Sequence, residues 1–250
     1  ASAYLSSPLT SGCALISCGT WALIGTELPS CVITDEGYQA NLANEGGYPG
    51  HHRLLRNVMS SWFIQETRRY YQEHGEDHSF SELGDLAMEA EPFRFFFDPD
   101  DPRFYDPGDI PGKIRAYCRE HFGACPETVG ALVRCIYESL AMKFRWTVET
   151  LEKVSGRSLP IINMMGGGSK AEILCQFTAN ASNRKVIAGP DEATAIGNLT
   201  VQLVAIGAAA TLEEAKSMLA GAFPLREYLP KDAALWDRHY QDYLRLLAQK

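Results

Sequence analysis

From Leu159 to Ile206 the chain alternates short apolar runs with helical patterns, and this alternation constrains the fold more than any other feature. The reading is strand Leu159–Met164, helix Ser169–Ala181, strand Lys185–Ala188 and helix Glu192–Ile206, with Asp191 as N-cap of the last helix and Gly207 as its stop. Alternation of this kind indicates an α/β domain, in which strands and helices bury their apolar sides against each other. Upstream, Pro126–Val154 holds a 3.6-residue apolar period through Val129, Leu132, Val133, Ile136, Leu140, Val148 and Leu151. That segment is a core helix, with Pro126 at its first position and Gly156 closing it.

At the N-terminal side, residues 12–34 alternate apolar and small residues around Gly19-Thr20, the pattern of a β-hairpin. Helical spacing follows over Val58–His74 and Ser79–Glu89, and two further helices, Leu212–Ala220 and Ala233–Gln249, end the chain. The loop Asp98–Pro107 carries four acids, which suit a metal loop, but its interleaved prolines favour a solvated turn. There is no internal repeat or long linker, so the expectation is one α/β domain with an antiparallel hairpin at its N-terminal side.

Composition narrows the function. The net charge of −8 offers no broad basic surface for nucleic acid or an anionic membrane. No apolar run reaches the roughly 20 residues needed to cross a bilayer, and the first Lys or Arg is Arg53, too late for the basic start of a secretory signal. Seven cysteines without a C-x-x-C pair suggest free thiols in a reducing compartment, hence the cytoplasm. Cys118 and Cys135 could face each other across neighbouring helices, but cytosolic conditions favour their reduced form.

Two loops carry potential chemistry. Gly166-Gly167-Gly168 follows an apolar strand and precedes a helix, an arrangement that brings bare backbone N–H groups to a phosphate or nucleoside; it is equally the composition of a tight turn. Gly19-Thr20 adds a hydroxyl that can donate to a phosphate oxygen.

Together with these loops, Cys18-Gly19-Thr20-Trp21, Asn44-Glu45-Gly46-Gly47, Arg53 to Met59, Gly166 to Lys170 and Ala188 to Asn198 give five ordered motifs. In these the chain resembles the C-terminal half of the FGGY carbohydrate kinases, over residues 1 to about 207. Pro107 to Pro111 and Arg134 to Leu140 fit the same pattern. The resemblance implies a ribonuclease H-like, actin-like ATPase domain: a mixed sheet with an N-terminal β-hairpin, flanked by helices, spanning residues 1–250. It implies ATP and Mg²⁺ as cofactors, with ATP and sugar meeting between two domains of which the N-terminal, sugar-binding one is absent here. The reaction implied is transfer of the γ-phosphoryl group to the 1-hydroxyl of L-rhamnulose, or to fuculose, xylulose or another polyol. A non-catalytic actin-like binding module is the rival reading, with Trp62, Phe93, Phe95, Phe96 and Phe97 as its exposed face or, alternatively, as core.

By the same resemblance Thr20 contacts ATP phosphate, Gln65 lies in the nucleotide region, Gly167 with its neighbours Gly166 and Gly168 lines the nucleoside pocket, and Asn57 reaches the sugar. The general-base Asp is expected just upstream of Ala1, and no residue of this chain is assigned to catalysis or to a metal. The structural alternatives are a hairpin turn for Thr20, solvated helix surface for Gln65, a plain turn for Gly167 and a helix-start cap for Asn57. Two departures stand out: Ala171 replaces an expected Asn, and Ser60-Ser61 replace a Gly-Leu or Gly-small pair.

Overall fold

The computed structural model describes residues 2–8, 12–48, 50–219 and 221–249. Its strands are β1 (Cys13–Cys18), β2 (Trp21–Leu28), β3 (Ala43–Gly46), β4 (His52–Met59), β5 (Ile161–Met165), β6 (Lys185–Ala188) and β7 (Arg226–Tyr228). Its helices are α1 (Asp35–Gln39), α2 (Ser61–Glu73), α3 (Phe80–Glu89), α4 (Ile110–Phe122), α5 (Val129–Ser155), α6 (Glu172–Ser182), α7 (Ala193–Ala205), α8 (Leu212–Leu219) and α9 (Ala233–Leu247). Ala220, the expected end of the eighth helix, and Ala1 lie outside the described residues.

The strands form one mixed sheet in the order β3-β4-β2-β1-β5-β6-β7. β1, β5 and β6 run parallel at its centre, and the remaining pairs are antiparallel. Covered on both faces, these central strands read as continuous apolar runs and not as alternation. One face packs Ala14, Ile16, Ala22, Ile24, Leu54, Val58 and Ile162 against Leu132, Ile136, Leu140 and Phe144 of α5. The other is covered over β1 and β5 by a 3-10 turn, Ser2–Ser6, and by α7, through Ala3, Tyr4, Leu15, Met165 and Ala193.

Several boundaries correct the sequence expectation. The residues at the start of the expected helix Val58–His74 belong to β4, which pairs along its length with β2, and the helix begins at Ser61. α5 starts at Val129, because the Thr128 side chain accepts from the Ala131 N–H at 3.1 Å and so caps it, leaving Pro126 outside; Gly156 does close it, with φ +67. The acidic loop is not a wholly solvated turn. Lys143 of α5 lies 3.0 Å from Asp98 and 2.7 Å from Asp100, and Arg56 of β4 pairs with Asp100 at 2.5 Å. These charges are buried or half-buried, where each needs its partner to offset desolvation.

Phe95, Phe96 and Phe97 are buried; Phe63, Phe97 and Phe104 stack edge to face with ring centroids 4.9–5.4 Å apart. Trp62 and Phe93 are half-buried against the same core, so the five aromatic residues pack internally and not as an exposed face. All seven cysteines are free thiols. Among the described residues no helix is long and apolar enough to cross a membrane.

Candidate functional site

The tip of the β1–β2 hairpin is Gly19-Thr20, closed by the Gly19 N–H donating to the Trp21 carbonyl at 2.8 Å. The start of α2 then grips the tip from behind. Ser60 and Trp62 donate their N–H groups to the Thr20 carbonyl at 3.1 and 3.2 Å, and Ser61 donates to the Gly19 carbonyl at 3.2 Å. A helix N-terminus carries orphan donors, and here the tip's carbonyls satisfy them. With its backbone held inward, exposed Thr20 turns its hydroxyl toward exposed Gln65 on α2, Oγ1 donating to Oε1 at 3.4 Å. Two residues that stand 45 apart in sequence thus meet, and the Gln65 amide retains two protons for a further acceptor.

The glycine triplet divides its work. At Gly166 the chain takes φ +85, and a Cβ there would stand 2.9 Å from the Cys18 carbonyl; at Gly168 a Cβ would stand 2.2 Å from the Cys18 sulfur. These two are glycine because the loop presses on the end of β1. Gly167 is exposed, and a Cβ on it would meet nothing within 4 Å, so it is the glycine that opens outward. The triplet does not run straight into a helix as expected: a 3-10 turn, Gly167–Lys170, intervenes, and α6 begins at Glu172. Ala171 occupies its N-cap with no side-chain hydrogen bond.

Buried Cys18 ties the two loops together. Its sulfur sits under Gly168 and 3.3 Å from Ser60 Oγ, and burial pushes its thiol pKa up, which keeps it neutral. On the far side the β6–α7 loop is laced to the triplet: Gly166 N–H donates to the Pro190 carbonyl at 2.9 Å and Gly189 N–H to the Met164 carbonyl at 2.8 Å. Fully buried Asn163 donates from Nδ2 to the carbonyls of Ile187 (2.8 Å) and Gly189 (2.9 Å). Asp191 does not cap α7; it pairs with Lys170 at 2.9 Å, which holds its carboxyl below and the Lys170 ammonium above their ordinary pKa values.

Asn57 is not a helix-start cap. It lies exposed in β4, opposite Leu23 of β2 and on the sheet face turned away from Val58 and Arg56. The order β4-β2-β1-β5 puts the hairpin tip between Asn57 on one flank and the glycine loop on the other, across three strand spacings of about 14 Å in all. This edge presents a hydroxyl, two amides and an open stretch of backbone. A separate cavity of about 300 Å³, lined by Glu91, Arg94, Phe95, Cys125 and the buried pair Arg134–Glu138, touches none of these residues.

Comparison with known proteins gives the family and the fold. The family model for the C-terminal domain of the FGGY family of carbohydrate kinases matches residues 14–206. The chain is similar to the rhamnulokinase of Bacteroides thetaiotaomicron, 41% identical over 91% of this chain and 46% of that protein. It is 38% identical to the rhamnulokinase of Enterococcus faecalis over 98% of this chain and 50% of the relative. The chain therefore spans about half the length of the curated relatives it matches. Among solved structures, xylulose kinase from Rhodospirillum rubrum aligns over 99% of this chain and 49% of its own, with a TM-score of 0.70 at 18% identity. Gluconate kinase from Lactobacillus acidophilus aligns over 98% of this chain and 49% of its own, with a TM-score of 0.71 at 17% identity. At those identities the likeness shows the fold.

Proposed function

The chain belongs to the FGGY family of carbohydrate kinases, as a C-terminal domain, and from that premise we propose that it is the nucleotide-binding half of an enzyme that transfers the γ-phosphoryl group of MgATP to the 1-hydroxyl of L-rhamnulose. The observation that carries the reading is the convergence of Thr20, Gln65 and Gly167 on one edge of the sheet, within reach of a single triphosphate-bearing ligand. The sugar is chosen from the rhamnulokinase relatives, which are 36–41% identical.

Each residue then has a part. On nucleotide binding the Thr20 hydroxyl turns its single O–H from Gln65 Oε1 to a terminal phosphate oxygen, and the Gln65 amide protons lie beside it. The open backbone of Gly167 lies along the nucleoside, where a side chain would obstruct it. Asn57 bonds a sugar hydroxyl on the opposite flank. The Thr20 and Gln65 oxygens are of the chemical class that would face Mg²⁺, a hard cation that takes few protein ligands. Bound beside the nucleotide, it would offset the oxygen charge that develops in transfer.

The general base is an Asp in the other half of the enzyme, together with most of the sugar pocket, and domain closure excludes water. This half alone is catalytically silent and holds nucleotide weakly, because it provides one wall of the cleft. The free thiols suit a cytoplasmic enzyme. The test is phosphorylation of a panel of ketoses by the full-length protein beside a variant with the upstream Asp changed to Asn. Activity that survives that change would remove the general-base assignment.

A further inference from the structure

We propose that Trp21 is the apolar platform on which the acceptor sugar lies, so that this half of the enzyme helps to choose the sugar as well as hold the nucleotide; the proposal rests on the kinase reading above. Trp21 directly follows Thr20 and opens β2. Trp21 is 45% exposed, whereas Ala22 and Ile24 are fully buried. Because successive side chains on a strand point to opposite faces, Trp21 shares the face of Leu23, away from the helical layer of the core.

The strand register supplies the neighbour. Trp21 stands opposite Met59 and Leu23 opposite Asn57, so Trp21 and Asn57 are diagonal partners, about 7–8 Å apart and within reach across the sheet. Both are exposed. An apolar ring beside a free amide is the combination a sugar requires, with the ring under its C–H face and the amide on a hydroxyl. Ligand sites in general join an apolar surface to a few placed polar groups.

Position along the sheet edge decides which ligand this is. Trp21 and Asn57 lie on the β2–β4 side of the hairpin tip, and Gly167 follows β5 on the other side. A phosphoryl group held at Thr20 therefore has the nucleoside on the glycine side and its acceptor on the Trp21 side. The attacking hydroxyl must come within about 3–3.5 Å of the phosphorus, so the sugar that carries it rests within one residue of the tip.

The test uses the full-length protein and its W21A and W21F variants, with L-rhamnulose varied at saturating MgATP and MgATP varied at saturating ketose. In W21A, kcat/KM for the ketose falls about tenfold or more, the equivalent of one lost apolar contact, while KM for ATP stays within about twofold. W21F recovers most of the loss, and the wild-type indole fluorescence changes on adding ketose without nucleotide. Equal increases in both KM values with a lowered melting temperature would show that Trp21 merely packs against the other domain and would overturn the proposal. Should W21A fail to fold, the fluorescence decides: a ketose response undiminished in W21F refutes the platform. Wild-type protein that phosphorylates no ketose refutes the kinase reading itself, whereas active wild type with unmoved ketose kinetics in both variants refutes only the role of Trp21.

Discussion

Adding one methyl group at Gly168 and, separately, at Gly167 distinguishes a glycine kept for packing from one kept for a ligand. In G168A the new Cβ lands 2.2 Å from the Cys18 sulfur, 2.8 Å from its Cβ and 3.1 Å from its carbonyl oxygen. Cys18 cannot retreat easily, since it is fully buried and its sulfur already contacts Ser60. Overpacking a closed site of this sort costs about 1–3 kcal/mol. For a chain of 250 residues that lowers the melting temperature by about 2–12 °C, at about 2–4 °C per kcal/mol. In G167A the Cβ meets nothing within 4 Å and the backbone needs no positive φ, so stability should stay within about 0.5 kcal/mol of wild type. The same methyl stands where the nucleoside is proposed to lie, so in the full-length protein G167A should weaken ADP binding by calorimetry. A C18A/G168A double variant should regain part of the loss, because the 2.2 Å sulfur contact is gone while the Cβ and carbonyl contacts remain. Melting curves of the four proteins provide the assay. If G168A melts with wild type, or if G167A is equally damaging, the division of labour within the triplet is wrong.

Three other perturbations follow. T20V removes a hydroxyl proposed to donate to a charged phosphate, worth about 1.5–3 kcal/mol, so steady-state kinetics of the full-length protein should show kcat/KM for MgATP down by about 10- to 100-fold with little change in melting. A171N restores a side-chain acceptor at the uncapped start of α6, whose N-cap backbone is already extended, and should raise stability in urea unfolding by about 0.5–2 kcal/mol. Alkylation of the native protein, followed by mass spectrometry, should label exposed Cys31 first and half-buried Cys125 next. Burial pushes the Cys13 thiol up to about 11 and the Cys175 thiol to about 12, so both should react only on unfolding.

The parts of the fold that were legible in the sequence are those whose signal is local. The hairpin tip, the three glycines after an apolar run and the period of α5 each leave their mark within a few residues. β3 leaves none, because it is an exposed edge strand of four residues, Ala-Asn-Glu-Gly, paired to β4 alone in the sheet. β4 was obscured by its buried Arg53 and Arg56, which interrupt the apolar run and are held by partners elsewhere, Arg53 by Glu45 and Gly46 of β3 and Arg56 by Asp100 and Ala40. α4 did carry its signals, with Asp109 capping, Pro111 in the first turn and Gly123 in the left-handed C-cap, but its polar surface pattern gave no clear period. In the candidate site, proximity was the missing quantity. Nothing in the chain order shows that Thr20 touches Gln65, that Cys18 props the glycine turn, or that Trp21 and Asn57 are diagonal neighbours; each depends on strand register and on the placement of α2.

This edge of the sheet is proposed to hold the nucleotide from which a ketose is phosphorylated. The most direct test is a coupled assay of the full-length protein with MgATP and a panel of ketoses, wild type against T20V. L-rhamnulose should be the preferred acceptor, phosphorylated at its 1-hydroxyl, with the rate collapsing in T20V. Failure to phosphorylate any ketose, or activity in T20V equal to wild type, would contradict the proposal.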